Sequence, residues 1–183
     1  MKRVSWILLL ALACTPDVTQ RAHPAPAHRS KSLAAELASQ DRDFLERAAE
    51  GNQAEVAIGA LPRGRTQNAA VLAFGAMMIA EHAALNRELT LLAAQRKVAL
   101  PTSPGDHQAD WDRLDGRSQN DFDSEFAKVM VDEHDQAAEL FRNEASGGAD
   151  PAIRAFAAKS LPVIEAHLQQ AKALAAANPP DSH

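Results

Sequence analysis

The chain has 183 residues, of which 46% are hydrophobic and only 4% aromatic, so its length allows one domain whose core is built from small aliphatic side chains. Tyrosine is absent, a composition that suits closely packed helices better than a β-sheet. The net charge of -5 and the lack of a basic cluster make nucleic-acid binding a poor expectation. A single cysteine excludes an internal disulfide.

Residues 1–13 are predicted to be an export signal. Two basic residues precede an apolar run of ten residues, which is too short to span a bilayer as a helix, since that takes about 20 residues. A small residue ends the run before Cys14, as in a bacterial lipoprotein signal, so cleavage there would leave Cys14 as the site of lipid attachment. The alternative is an ordinary cleavage site that happens to precede a cysteine. Because Thr15 rather than aspartate follows, as in Gram-negative lipoproteins of the outer membrane, we expect an outer-membrane lipoprotein that faces the periplasm.

Residues 14–32 are predicted to form a lipid-anchored, flexible linker, because their prolines, alanines and polar side chains offer no face that could be buried. A helical pattern then extends over 33–177, and 178–183 are expected to be a disordered tail. The membrane is thus the expected partner, reached through the lipid. The patterns identify no protein partner and are compatible with a homo-oligomer.

Four amphipathic helices are predicted from the spacing of apolar residues, and they cover about 33–61, 67–97, 118–146 and 151–177. The first ends at Pro62 and Gly64, which both oppose helix continuation. Pro162 should kink the fourth helix. The connection 98–117 is long enough to recross the bundle and to make the second and third helices parallel. The predicted fold is therefore all-α, a ferritin-like four-helix bundle with one long crossover connection.

Three histidines on three different helices stand in apolar stripes where leucines would be expected. Two of them end a repeated pattern, Phe74-x3-Met78-x2-Glu81-His82 and Phe126-x3-Met130-x2-Glu133-His134. His82 and His134 should lie at about the same depth of the bundle, and His167 about one helical turn, ~6 Å, further on. Buried imidazoles need partners, and a metal ion is one way of providing them.

A mononuclear transition-metal site is the predicted function of these histidines. Three imidazoles and one carboxylate would complete a tetrahedral shell, and Glu55, ahead of Glu50, is the predicted source of the carboxylate. Glu81 and Glu133 are weaker ligand candidates, because adjacent side chains on a helix point about 100° apart. They would support the ligands from behind or face solvent.

Two methionines bear on the identity of the ion. Met78 and Met130 lie one turn before His82 and His134, on the same helix faces. Thioether sulfur beside imidazole favours copper, especially Cu(I), over iron or magnesium. Copper, zinc and iron are the candidate ions.

The alternative function is that of a structural or interaction protein of the cell envelope, whose histidines hold the core together without a metal. Their ring nitrogens would then bond carboxylates or a freed carbonyl, such as that of Ala158, which Pro162 releases. Methionines at helical spacing usually fill cores.

An enzyme is not expected. Bundles with two iron or manganese ions carry Glu-x-x-His on two helices, whereas Ile79, Val131 and Ile164 stand three residues before the histidines. No arrangement of a nucleophile and a base stands out. His107, in the crossover, is expected to be an exposed loop residue.

The chain resembles a bacterial family of exported ferritin-like domains of unknown function, often described as predicted outer-membrane proteins. The resemblance covers roughly 41–177. It rests on Asp43-Phe44-Leu45, Ala48-Ala49-x-Gly51-Asn52-x-x-Glu55, Met78-x-x-Glu81-His82, Leu100-Pro101, Phe122-Asp123, Met130-Val131-x-Glu133-His134 and Leu161-Pro162-x4-His167. The family typically has aspartate where Glu81 and Glu133 stand, and the break at 62–64 is atypical of it. The resemblance implies a ferritin-like bundle in the cell envelope and brings no established activity.

Overall fold

The computed structural model describes residues 37–180, in which four long helices form a bundle and no strand occurs. The long helices are α1 (Ser39–Ala60), α3 (Ala69–Gln95), α5 (Gln119–Gly147) and α6 (Pro151–Ala177). The short elements are α2 (Pro62–Arg65), a 3-10 turn (Gly105–His107) and α4 (Gln108–Asp115). The prediction of an all-α four-helix bundle with one long connection is confirmed. The helix ends lie within two residues of those predicted, except that α1 begins at Ser39 and not near residue 33. The predicted export signal, Cys14, the whole predicted linker and residues 181–183 lie outside the described part of the chain.

Polar side chains cap the starts of three helices, which explains why the chain changes direction where it does. Asn68 accepts a hydrogen bond from Ala70 N at the start of α3, and Ser118 accepts one from Asp121 N at the start of α5. Asp150 accepts from two backbone amides of α6, in front of a proline at the first helical position. That arrangement suits a helix start because proline lacks an amide hydrogen.

Side-chain contacts establish the direction of the helices. Phe44 packs edge-on against Phe141, with ring centroids 5.0 Å apart, while Glu55, eleven residues later, reaches His134. Because the partner number falls as the α1 number rises, α1 and α5 are antiparallel. α1 and α3 form a hairpin, so α3 and α5 both oppose α1 and run parallel to one another, as the sequence predicted.

Two features of the fourth helix relate to the sequence predictions, one at Pro162 and one at Asn178. α6 continues through Pro162, which lies on its exposed face. Asn178, assigned to the predicted tail, accepts a hydrogen bond of 2.8 Å from the amide of Asn68. The chain therefore stays attached to the bundle one residue beyond the end of α6.

The apolar core is divided into two clusters of buried side chains. One contains Phe44, Phe141 and Leu89, and the other contains Phe74 and Phe126. Buried polar side chains lie between the two clusters on every long helix: Asn52 and Glu55 on α1, His82 on α3, His134 on α5 and His167 on α6. The bundle therefore encloses a polar layer between two apolar layers, and this layer is the candidate site.

α1 and α3 approach closely beside the second apolar cluster, which contains Ile58, Phe74 and Met78. A Cβ atom on Gly75 would lie 2.6 Å from the carbonyl oxygen of Gly59, and one on Gly59 would lie 2.9 Å from that of Gly75. Only glycine at both positions permits this backbone separation.

By length and apolar composition alone α3 would qualify as a membrane span, yet one of its faces packs against α1 here.

Candidate metal centre

His82, His134 and His167 come together in the polar layer, one from each of α3, α5 and α6. One ring nitrogen of each lies within 4.8 Å of the other two, and each residue is at most 2% exposed. Their ring centroids are 5.2–5.4 Å apart. Three imidazoles at these separations surround one common point.

The offset of one turn predicted for His167 along its helix does not keep its ring away from the other two rings. Its ring is as near to His134, at 5.4 Å, as His82 is. Side chains on a helix lean toward its N-terminus. Because α5 and α6 are antiparallel, His134 and His167 lean toward one another's level, and this closes a gap that counting Cα positions alone leaves open.

The outward-facing ring nitrogens of two histidines are held by hydrogen bonds. His134 Nδ1 donates to the carbonyl oxygen of Met130 at 2.8 Å, and His167 Nε2 donates to Glu81 Oε2 at 2.9 Å. Each bond assigns the proton to the outward nitrogen, so that His134 Nε2 and His167 Nδ1 present lone pairs toward the centre. A bound partner behind the imidazole is the usual means of orienting a metal-binding histidine.

Glu55 is the carboxylate of this layer, only 2% exposed. One of its oxygens makes a close contact with His82 Nδ1, which also lies 3.0 Å from Asn52 Oδ1. The other oxygen, Oε1, lies 3.5 Å from His134 Nε2. Burial alone would raise the pKa of Glu55, but the surrounding histidines, His82 foremost, outweigh it and lower the pKa to about 2. Glu55 is therefore a carboxylate at any physiological pH.

Burial lowers the pKa of both His134 and His167, because a charged imidazole is poorly solvated in the core. At neutral pH these two rings are uncharged, which is the form that binds a metal ion. The layer thus combines one fixed negative charge with neutral nitrogen donors.

The remaining predicted residues lie around this centre and not at it. Glu50 packs against the crossover, where a Cβ atom on Gly105 would lie 2.8 Å from its Cδ, and it does not join the histidine cluster. Glu81 bonds His167 on the neighbouring helix, and its side chain is still 45% exposed to solvent. Met78 and Met130 are fully buried in the second apolar cluster, and the contact of Met130 with the site is made by its carbonyl oxygen. The Ala158 carbonyl is not a partner of His167, which bonds Glu81 and approaches His82 Nε2 at 3.2 Å.

The sequence interpretation missed the contacts that His107 makes with α5. It is half-buried, and its Nδ1 lies 2.7 and 2.9 Å from the two carboxylate oxygens of Glu133. The hydrogen bond to Glu133 raises the pKa of His107, while burial raises that of Glu133. The prediction of an exposed loop histidine is therefore wrong, because the crossover folds down onto α5.

A cavity of about 360 Å³ joins His107 to the centre. Its walls include the buried residues His82, Glu55, Asn52 and Glu133 and the half-buried His107. Asn52 was a usable signal in the sequence, since it stands in an otherwise apolar stripe of the first helix. The cavity itself depends on the crossover, which has no periodic pattern.

Solved structures with a similar fold come from proteins of low sequence identity. A DUF305 fragment from Deinococcus radiodurans has a TM-score of 0.68 at 13% identity, covering 77% of this chain and 98% of that one. CopM in its Cu(II)-bound form has a TM-score of 0.61 at 16% identity, covering 75% and 96%. A conserved hypothetical protein, rv2844, from Mycobacterium tuberculosis has a TM-score of 0.63 at 16% identity, covering 79% and 96%. These likenesses show that the helical fold is shared.

Sequence comparison gives the family. Curated proteins provided no significant match. The model of a domain of unknown function, DUF4142, matches residues 26–174, which includes α1, α3, α5, α6 up to Leu174 and every residue of the polar layer. The chain therefore belongs to the DUF4142 family.

Proposed function

We propose that the protein binds one transition-metal ion in the polar layer, through His82, His134 and His167, with Glu55 completing the shell. The observation that carries this proposal is an unmatched pair of acceptors. His134 Nε2 and Glu55 Oε1 face each other at 3.5 Å, and neither has a hydrogen-bond donor within residues 37–180. Buried acceptors without a donor are costly, by about 1–3 kcal/mol each. A cation between them would satisfy both.

The ligand set favours copper or zinc. Imidazole nitrogens with one carboxylate suit Zn(II), Cu(II) and iron, and Cu(II) binds most tightly among the divalent ions of the first row. CopM, which shares the fold, is known in a Cu(II)-bound form. We therefore place copper first and zinc second, with binding and not catalysis as the role, since Glu-x-x-His is absent from the sequence.

Metal analysis of the purified protein tests the proposal. After loading with Cu(II) or Zn(II) and desalting, we expect one tightly held ion per chain, and a Cu(II) spectrum with nitrogen coupling. His134→Gln should abolish retention, and His107→Gln, the matched histidine control outside the layer, should retain it. Glu55→Gln keeps the size of the side chain and removes its charge, so it tests the site if a histidine variant unfolds. Equal retention by wild type, His134→Gln and Glu55→Gln would refute the proposal.

The rival role is that of a structural protein whose histidines only hold the core together. It predicts that metal binding contributes nothing to the stability of the fold. An ion held only by the folded state at 100 times its Kd stabilises by about 2.7 kcal/mol, which corresponds to roughly 5–10 °C in Tm for a domain of this size. A chelator that leaves Tm unchanged would favour the structural role.

We further propose that the protein is an exported lipoprotein attached to the outer membrane through Cys14 and facing the periplasm. The support is the order of basic residues, a ten-residue apolar run and the single cysteine in the sequence. The mass of the mature N-terminus, compared with that of a Cys14→Ser variant, tests this placement. An unmodified cysteine in the wild-type protein would refute it.

A further inference from the structure

The outer part of the cavity contains a second histidine arranged as a ligand. Glu133 holds His107 by its Nδ1 atom, and Asp110 on α4, which accepts a hydrogen bond from Arg113, lines the same cavity. This arrangement leaves His107 Nε2 as the ring atom available to an ion. A carboxylate bound to one ring nitrogen is the common support of a histidine that binds metal through the other.

Unpartnered polar atoms line the same cavity from its inner side. Glu55 Oε1 and Asn52 Nδ2 have no hydrogen-bond partner among the described residues, although both side chains are at most 3% exposed. Both residues form part of the cavity wall together with His82. The cavity thus runs from the half-buried His107 to the buried acceptor of the proposed centre.

The charge of the cavity wall favours a cation. The wall contains one basic residue, Arg47, and five acidic residues. The acidic residues are Glu50, Glu55, Asp106, Asp110 and Glu133. Carboxylates concentrated in a cleft raise the local concentration of counter-ions and speed their arrival. Gly105 holds the crossover against this wall, because its φ of 57° is favourable for glycine and a Cβ atom there would collide with Glu50.

We propose that His107 Nε2, with the carboxylates of Asp110 and Glu50, forms a second and weaker divalent-cation site, which an ion occupies on its way to the histidine layer. The transfer step rests on the proposed metal centre, whereas cation binding at His107 does not. The two sites differ in exposure: the side chain of His107 is 25% exposed, and those of the three core histidines are at most 2% exposed.

Titration of the full chain with Zn(II) tests the binding part. We expect a tight and a weaker class of sites, and His107→Gln should weaken the second class at least tenfold while leaving the first unchanged. A second class that survives His107→Gln with unchanged affinity overturns the proposal. If the wild type shows no tight class and His107→Gln removes the weaker class, the proposed metal centre is refuted and the second site is supported.

Loading kinetics test the transfer part with a matched pair on one short helix. Asp110→Asn and Asp112→Asn change the net charge equally, but only Asp110 lines the cavity, while Asp112 is exposed and accepts a hydrogen bond from Gln108. In stopped-flow transfer of Zn(II) from a weak fluorescent chelator, we expect Asp110→Asn to load the tight site several-fold more slowly and Asp112→Asn to load it at the wild-type rate. Equal rates for both variants and the wild type overturn the transfer. Circular dichroism and Tm of each variant establish that it is folded.

Discussion

The close approach of α1 and α3 at Gly59 and Gly75 allows a sharp test of how the bundle packs. In Gly75→Ala, the new Cβ atom would lie 2.6 Å from the carbonyl oxygen of Gly59 and 3.0 Å from a ring carbon of Pro62. Neither neighbour is the free end of a flexible side chain, since one is helix backbone and the other a proline ring. The helices must therefore move apart by several tenths of an ångström.

The expected magnitude combines two opposing effects. Overpacking a well-packed interface costs about 1–3 kcal/mol, and replacing glycine by alanine inside a helix returns about 1 kcal/mol. We therefore expect Gly75→Ala to lower the free energy of unfolding by up to about 2 kcal/mol, which is a few degrees in Tm.

Gly51 provides the matched control within α1. A Cβ atom there would meet nothing within 4 Å, so Gly51→Ala should gain helix propensity without a clash and stabilise the protein by about 0.5–1 kcal/mol. Urea unfolding followed by circular dichroism measures both variants. Opposite signs are expected. If Gly75→Ala is as stabilising as Gly51→Ala, the close contact between the two helices does not exist as described.

Three further predictions concern charged side chains. Burial, and then the hydrogen bond and charge of Asp41, raise the pKa of Glu144 to about 7. Between pH 4.5 and 7 the folded state therefore binds a proton at Glu144 that the unfolded state has lost, so the free energy of unfolding should fall as the pH rises through this range. Glu144→Gln should flatten this dependence in urea unfolding at stepped pH, and an unchanged slope would contradict it. Asp150→Ala removes the cap of α6 and the contact with Arg96, so it should lower the free energy of unfolding by about 1–2 kcal/mol. The control Asp132→Ala loses only an exposed pair with Lys128 and should lower it by less than about 1 kcal/mol. Equal losses of stability would argue against the cap. Glu55→Gln should weaken Cu(II) or Zn(II) binding by about 10–100-fold in chelator competition, and wild-type affinity would remove Glu55 from the site.

The convergence of the histidines was predictable because it depends on periodicity and topology. His82 and His134 stand at equivalent positions of repeated patterns, and a long crossover makes their helices parallel, so equal depth follows. The choice between Glu55 and Glu50 followed less directly. Five residues on a helix turn the side chain by roughly 140°, which places Glu50 toward the crossover, while Asn52 and Glu55 share the interior face.

The environment of His107 could not be predicted from the sequence. The crossover lacks a hydrophobic period, so its path is fixed by contacts remote in sequence. These are the approach of Gly105 to Glu50 and the hydrogen bond of Gln53 to the carbonyl oxygen of Pro101 at 2.9 Å. Glu133 gave a partial signal, since an acidic residue beside a core histidine needs a partner if it is buried. Glu133 is only 2% exposed, so its partner has to come from a segment that packs against α5. An exposed loop, as the sequence predicted for His107, could not provide that partner.

The position of the polar layer connects the stability of the bundle with the occupant of its centre. The apolar clusters on either side hold four helices at a fixed spacing, so the separation of the three imidazoles is set by packing that does not involve them. A preorganised site of this kind binds without a large cost of reorganisation. The site would also offer a metal ion a single geometry, because hydrogen bonds to Met130 O and Glu81 fix the rings of His134 and His167. Changes to the apolar clusters should therefore alter metal affinity even where they touch no ligand, whereas in a purely structural histidine cluster they would alter stability alone.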